Sequence, residues 1–505
     1  MRQYAKESGL EIDVLALPVS VAVFLTPEFV AGYLKSRKVN EYDLILMPGA
    51  MQGDVTLIEK ATGIPTFKGP IHAADIALSF QKGVELSTLY PVSNLNTDVL
   101  RNRVNAEIEE VTKNWRQNFE ENGGLLIGSG RNSIPISLGL PMPVIAEIVN
   151  APNRDLNEIA GLARYYEEAG ANIIDIGMFA GSPKEEKVPA LINTIKDTVD
   201  LPVSIDTLND AEIKAAVDVG VDLILSLDAG NMESVAEELS DTPVVILPSN
   251  LRRGELASNA ETRVANLIKN IEKAKGLGFT KIIADPVVEP PLQPGLMNSL
   301  TAYNLFREKD KTMPVLFGLG NVTELIDVDS VGVNGLLTAL AYEVEANILF
   351  TPEFSNKAKG SVRELVTASK MMFLAKRRKT TPKDLGIDLL ILKEKRLIED
   401  PRIEKPGLNV LRGTSETDFT PDKKGWFKIQ IDRRKKTIEA VFYRQYYEEP
   451  EMVITGANAT EIYQTIIREN LIGIHDHAAY LGSELQKAEI ALKLGRSYIQ
   501  DKPLF

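Results

Sequence analysis

The sequence contains no cysteine. That excludes disulfides, thiolate nucleophiles, iron–sulfur clusters and cysteine-ligated zinc together, and it gives no sign of an oxidising compartment. Histidine is almost as scarce. His72, His475 and His477 are the only three, too few to build a His-rich metal site within one chain. No apolar run approaches the ~20 residues needed to span a bilayer. The opening MRQYAKESGLEID lacks the apolar centre of a signal peptide and reads as the end of an amphipathic helix. Positive charge is in deficit too: Lys and Arg total 57 against 70 Asp and Glu, a formal net charge of −13. That balance argues against general binding to nucleic acid or to an anionic membrane surface. A soluble cytoplasmic protein is the expectation.

What is present is an ordinary globular composition, 44% hydrophobic and 25% charged over 505 residues, long enough for more than one domain. Three segments are expected: an α/β layer domain over 1–133, a (β/α)₈ barrel over 134–378, and a small α+β domain over 379–505. In the first, VLALPV (14–19), DLILMPG (43–49), IPTFKG (64–69) and GGLLIGSG (123–130) are short, apolar and closed by Pro or Gly, which suits buried parallel strands. The chain opens on a helix rather than a strand, which leaves open whether the domain begins unusually or its first strand lies upstream.

The second segment is more regular. PVIAEIV (143–149), NIIDIG (172–177), LPVSID (201–206), DLILSLD (222–228), TPVVILP (242–248), TKIIAD (280–285), MPVLFG (313–318) and ANILFT (346–351) are eight apolar runs. Amphipathic helical stretches with apolar residues at three- and four-residue spacing separate nearly all of them. Eight βα units over about 240 residues match the size of a (β/α)₈ barrel, with a doubly wound open sheet as the alternative. The basic stretch KMMFLAKRRKTTPKD (370–384) reads as a solvated helix end and linker. Beyond it, WFKIQID (426–432) and TIEAVFY (437–443) flank a charged turn as a β-hairpin. Two amphipathic helices follow, at about 459–471 and 476–494.

Function in such a barrel sits at the carboxyl ends of its strands. The polar residues there are Asn150, Asp175, Asp206, Asp228, Ser249, Asn250, Asp285 and Asn321, with Glu353, Lys357 and Lys359 beyond the eighth strand. A single strand-end Asp is usually a turn or cap residue, but several around one ring exceed that habit. Carboxylates take paired N–H donors and Asn matches a mixed edge, so the ring suits a flat polar heterocycle such as a 2-amino-4-oxo pteridine. The inventory alone does not separate a pterin from other heterocycles. HDHAAYLGSEL (475–485) admits two readings, a metal or anion site at a helix start or Asp476 as an N-cap between solvated histidines. MPGAMQGD (47–54) is a weak candidate phosphate cradle, lacking a Lys-Ser/Thr ending. His72 fits a packed or capping role better than a catalytic one.

Three of these runs resemble a known family in order and spacing. AGANIIDIG (169–177), PVSIDT (202–207) and TKIIADP (280–286) are similar to the second-, third- and sixth-strand motifs of dihydropteroate synthases. The layout over nearly the whole chain, with the stretch 454–501, resembles the archaeal dihydropteroate synthase-related proteins. The resemblance implies a pterin-binding barrel in which Asp206 and Asp285 hydrogen-bond the pterin, Asp175 supports the floor, and Asn150 and Asp228 lie nearby. There are departures. The opening Ser-Phe loop of the synthases is replaced by IVNAPNRD (148–155). Leu225 and Ser226 stand where an Asn-Asp pair is usual, the loop after Asp285 is VVEPPLQPG (287–295), and GLGNVTE (318–324) replaces a Ser-Arg-Lys. The last is similar to the Ser-Asn element of pterin-dependent methyltransferases and would set Asn321 near the ring.

The leading expectation is therefore a synthase-type transferase of folate- or tetrahydromethanopterin-type biosynthesis. It would join hydroxymethyl-dihydropterin diphosphate to an arylamine, either p-aminobenzoate or a ribofuranosylaminobenzene phosphate. Lys357 and Lys359 would face the phosphates, with Mg²⁺ accompanying the leaving group. A pterin-dependent methyltransferase serving a separate corrinoid protein and a non-catalytic pterin-binding protein are the rivals. A homodimer is implied by resemblance.

Overall fold

The computed structural model describes residues 2–7, 9–19, 24–37, 39–81, 83–122, 124–179, 183–239, 241–394, 407, 409–413, 420–445 and 448–505. Near the amino terminus, β1 (Ile45–Met47) and β2 (Thr66–Lys68) pair in parallel, as their flanking Pro and Gly residues led one to expect. Residues 14–19 form no strand; the Val19 amide closes instead on the Leu17 carbonyl at 2.8 Å. The run at 123–130 also departs from expectation. Its strand, β3 (Leu125–Ile127), pairs antiparallel with β4 (Ile134–Ile136) rather than joining a parallel layer. Burial explains the difference, because Leu125, Ile127 and Ile136 insert among the inward-facing side chains of the barrel.

The barrel strands are β5 (Val144–Ile148), β6 (Ile173–Gly177), β7 (Val203–Asp206), β8 (Leu223–Leu227), β9 (Val244–Ile246), β10 (Ile282–Ala284), β11 (Leu316–Gly318) and β12 (Ile348–Pro352). They form one eight-stranded sheet in the order β10-β9-β8-β7-β6-β5-β12-β11. An Ala284–Val315 bridge joins its two edges, so the architecture is the (β/α)₈ barrel expected. Strand alternation sorts the side chains. Ile145, Ile173, Leu223, Val245, Ile283, Leu316 and Ile348 fill the interior with the β3–β4 hairpin, while Val144, Ala146, Ile148, Ile174 and Ile176 face the surrounding helices.

Those helices start and stop on local signals. Asp155 caps Leu156–Ala169 by accepting from the Glu158 amide, and Gly170, at φ 93°, closes it in the left-handed region that glycine adopts at little cost. Asn209 and Asn259 cap the helices Asp210–Asp218 and Ala260–Gly276 in the same way.

Residues 1–395 form one compact unit and 396–505 another. The second is α+β. β13 (Gly425–Asp432), β14 (Thr437–Arg444) and β15 (Met452–Gly456) make an antiparallel sheet, and the helices Ala459–Arg468 and His475–Leu494 share its core. The hairpin and both helices match the sequence expectation; β15 was not anticipated. Among the described residues no helix is long and apolar enough to cross a membrane.

Candidate active site

The side-chain alternation that buries Ile145, Ile173 and Ile283 has a chemical consequence. Two residues further along each strand, on the same inward face, stand Glu147, Asp175 and Asp285. Asp206 ends β7 two residues past the buried Ser204. Carboxylates thus replace hydrocarbon in the last interior layer, at the end where (β/α)₈ enzymes work.

The strand register brings three of them together. Glu147 lies opposite Asp175, and Gly177 opposite Asp206. A Cβ on Gly177 would lie 2.2 Å from Glu147 Oε1, so the Glu147 side chain lies across the glycine's bare Cα, on the neighbour of Asp206. Asp175 is fully buried; its Oδ1 accepts from Ser204 Oγ at 2.6 Å, while Oδ2 is buried without a partner. Burial, then the charges of Asp206 and Glu147, raise its carboxyl well above the usual range. Asp206 is raised as well by burial, against the opposing hydrogen bond from Ser226 Oγ. Glu147 is pushed up to about 8, by burial first and then by Asp206 and Glu324.

Asp285 is set differently. Its Oδ1 accepts from the Val287 amide at 2.7 Å and the Tyr303 hydroxyl at 3.1 Å. Burial raises it to about 6, with these hydrogen bonds opposing. Val287 is β-branched yet sits at φ 68°, a strained conformation. Its amide is held by Asp285 and its carbonyl by Arg263 Nη1 at 3.1 Å. Arg263 is itself buried, paired with Glu289 and bonded to Ser299 Oγ at 3.3 Å. Within the described residues, the second oxygens of Asp206 and Asp285 accept no hydrogen bond and stay open to a ligand.

The other expected residues are placed less uniformly. Asn150, at φ 52°, turns the chain out of β5. Asn321 is exposed and donates from Nδ2 to the Val288 carbonyl at 2.8 Å, tying two mouth loops together. Asp228 is 1% exposed and already engaged. Its Oδ1 takes the Gly230 amide at 2.7 Å, and its Oδ2 takes Ser249 Oγ at 3.0 Å and the Leu251 amide at 2.7 Å. That carboxylate organises loops and is not left open as expected from its position. The Lys357 ammonium meets the Ile326 carbonyl and, at 3.0 Å, Asp327, and Lys359 meets the Glu353 carbonyl. Neither bonds a carboxylate of the interior layer.

Glu147, Ser226 and Arg263 are the residues that reading the strand ends misses. The signal for Glu147 was a charge in mid-strand, PVIAEIV, on the parity of Ile145. Arg263 interrupts the apolar stripe of its helix, beside Val264 and Leu267. Elsewhere the weaker candidates resolve into structure. The Gly49 turn is filled by its own chain, its amide donating to the Pro70 carbonyl at 3.2 Å. His72 packs edge-on to Tyr4. Ile474, not Asp476, is the cap residue of the last helix. His475 is exposed, and His477 Nδ1 lies 2.9 Å from Asp422 Oδ2.

Residues 149–341 match the family model described as pterin binding enzyme, 421–501 the one described as PterinBD-DUF4346, and 4–71 a family of unknown function, DUF6513. An uncharacterized protein of Methanocaldococcus jannaschii is 39% identical over 98% of this chain and 94% of its own. A Ycf91-like protein of Nostoc is 30% identical over 17% of this chain and 88% of its own. Among solved structures, dihydropteroate synthase of Xanthomonas albilineans with indole-2-carboxylic acid and 6-chloroguanine is 18% identical, covers 50% of this chain and 98% of that one, and has a TM-score of 0.42. The same enzyme in complex with 7,8-dihydropteroate gives 19%, 50%, 99% and 0.41.

Proposed function

The chain belongs to the archaeal dihydropteroate synthase-related family of pterin-binding barrels, and from that premise we propose that it is a transferase acting on a pterin held at the carboxyl ends of its strands. The observation that carries this is the pair Asp206 and Asp285, each anchored through one oxygen and open at the other. Two such oxygens across one mouth suit the N–H donors of a 2-amino-4-oxo pteridine, and charge-assisted bonds of that kind are strong and directional. Asn150 and Asn321 add amides at the rim, and Asp175 lies beneath.

The specific reaction proposed is condensation of 6-hydroxymethyl-dihydropterin diphosphate with an arylamine. The amine nitrogen attacks the exocyclic methylene carbon, the carbon–oxygen bond breaks, diphosphate leaves, and the amine loses one proton. Holding both reactants in line supplies most of what such a step needs. Mg²⁺ would accompany the diphosphate leaving group. Lys357 would have to exchange the Ile326 carbonyl and Asp327, and Lys359 the Glu353 carbonyl, for phosphate oxygens. The test is diphosphate release from the pterin diphosphate, Mg²⁺ and either p-aminobenzoate or ribofuranosylaminobenzene phosphate. Release dependent on both reactants, with KM for the diphosphate raised several-fold in a Lys357→Ala, Lys359→Ala variant, is expected. No release with either amine would end the synthase reading.

A second reading has its own observation. Leu256, Leu292, Met297, Leu325 and Phe354 are exposed on the segments following β9 to β12, between 63% and 90% accessible. Such an apolar rim suits a second protein, as a methyltransferase delivering a pterin-borne methyl group to a corrinoid protein would need. Methyl transfer from a reduced methyl-pterin to an added corrinoid, with no diphosphate release, would select it.

A further inference from the structure

Glu147 is the one carboxylate of the interior layer whose side chain no described residue engages. Its side chain makes no hydrogen bond or ion pair among the described residues, yet it is only partly buried, unlike the enclosed Asp175. The bare Cα of Gly177 makes room for it: any side chain there would occupy the position of Oε1, 2.2 Å away. An unpaired carboxylate in such surroundings is costly unless it holds a proton or meets a ligand. The titratable groups around it are Asp175 on β6, Asp206 at the end of β7, Glu324 in the loop after β11, and Tyr166 on the helix Leu156–Ala169. Glu324 is itself occupied with the amides of Phe354 and Ser355. None of these groups is cationic, and the Tyr166 hydroxyl is spent on the Glu147 backbone carbonyl at 3.2 Å.

We propose that Glu147 is a further ligand-contacting residue of this site, donating a hydrogen bond from a neutral carboxyl to an acceptor atom of the bound pterin, a ring imine nitrogen or the ring carbonyl. The inference rests on the pterin reading above and adds to it a division of labour. Asp206 and Asp285 accept from the ring's N–H edge through their open oxygens, whereas Glu147, protonated, supplies the donor that a ring acceptor needs. A carboxylate at about 8 remains neutral at pH 7. Asp285, at about 6, is already mostly ionised there. The two requirements overlap between roughly those values.

The experiment is calorimetric titration with 6-hydroxymethyl-7,8-dihydropterin across pH, on the full chain, the Glu147→Gln and Glu147→Ala variants, and Gly177→Ala, which moves the carboxyl without removing it. The unaltered protein should bind in a bell: affinity rises through about 6 and falls about tenfold per pH unit above about 8. Glu147→Gln keeps an N–H donor that does not titrate, so it should retain affinity at pH 7 and lose only the alkaline limb. Glu147→Ala and Gly177→Ala should each lose about tenfold at pH 7, equivalent to ~1.4 kcal/mol. An alkaline limb that persists in Glu147→Gln, or Glu147→Ala binding as tightly as the unaltered protein, would overturn the role of Glu147 and leave the pterin reading standing. No binding by the unaltered protein at any pH would overturn both.

Discussion

Two arcs of the same barrel mouth use the same residue type in opposite ways. Along β5 to β7, the side chains of Glu147, Asp175 and Asp206 accept two hydrogen bonds between them among the described residues, from Ser204 and Ser226, and burial drives each toward the neutral form, reinforced at Glu147 and Asp175 by neighbouring carboxylates. Along β8 and β9, Asp228 is just as buried as Asp175, but two amides and a hydroxyl converge on it. A strand-end aspartate whose oxygens are claimed by backbone donors is part of the scaffold. One whose oxygens are left open is available to chemistry, and counting donors separates the two.

Breaking the saturated arc should have the larger effect on stability. Asp228→Ala strands the Gly230 and Leu251 amides and the Ser249 hydroxyl, for a loss of about 4 kcal/mol in denaturant unfolding. An unchanged midpoint would erase the distinction between the arcs. The second unit offers an independent version of the saturated case. Asp422 accepts from the amides of Gly473 at 2.7 Å and Lys424 at 3.0 Å and pairs with His477. These hydrogen bonds outweigh its burial and hold it at about 2. Its folded pKa is depressed, so its contribution is present above the ordinary Asp range and lost as pH falls through about 2. Asp422→Asn should cost ~2 kcal/mol at pH 7 and little at pH 2.

The open arc should respond the other way and by less. Asp175 is raised, so stability is lost as pH climbs above the ordinary Asp value. Asp175→Asn should therefore melt higher than the unaltered protein at pH 8, with the gap closing near pH 4. A lower melting point at pH 8 would mean that the carboxylate is paired in a way the geometry does not contain.

The barrel itself was legible because its eight apolar runs keep strand length and βα spacing. The first segment was legible only in part. VLALPV has strand composition but pairs with no strand among the described residues, and the 123–130 run pairs with β4 because the barrel interior offers more burial than a layer sheet would. At the site, strand-end position found Asp206 and Asp285. It could not tell them from Asp228, because two of the three donors that saturate Asp228 come from Ser249 and Leu251 in the next βα loop. Ser226 was passed over as a missing Asn-Asp pair, although its hydroxyl, at a backbone φ of 72° where β8 shifts register against β9, is what anchors Asp206. Glu147 was visible as a charge on the inward parity of an apolar strand.

The central claim, that the open carboxylates hold a pterin, is tested most directly by calorimetric titration of a reduced pterin into the unaltered protein and an Asp206→Asn, Asp285→Asn variant at pH 7. Two charge-assisted contacts predict a loss of about 10²- to 10⁴-fold in affinity with the fold unchanged by circular dichroism. Equal affinity in the two proteins would place the pterin elsewhere and contradict the account.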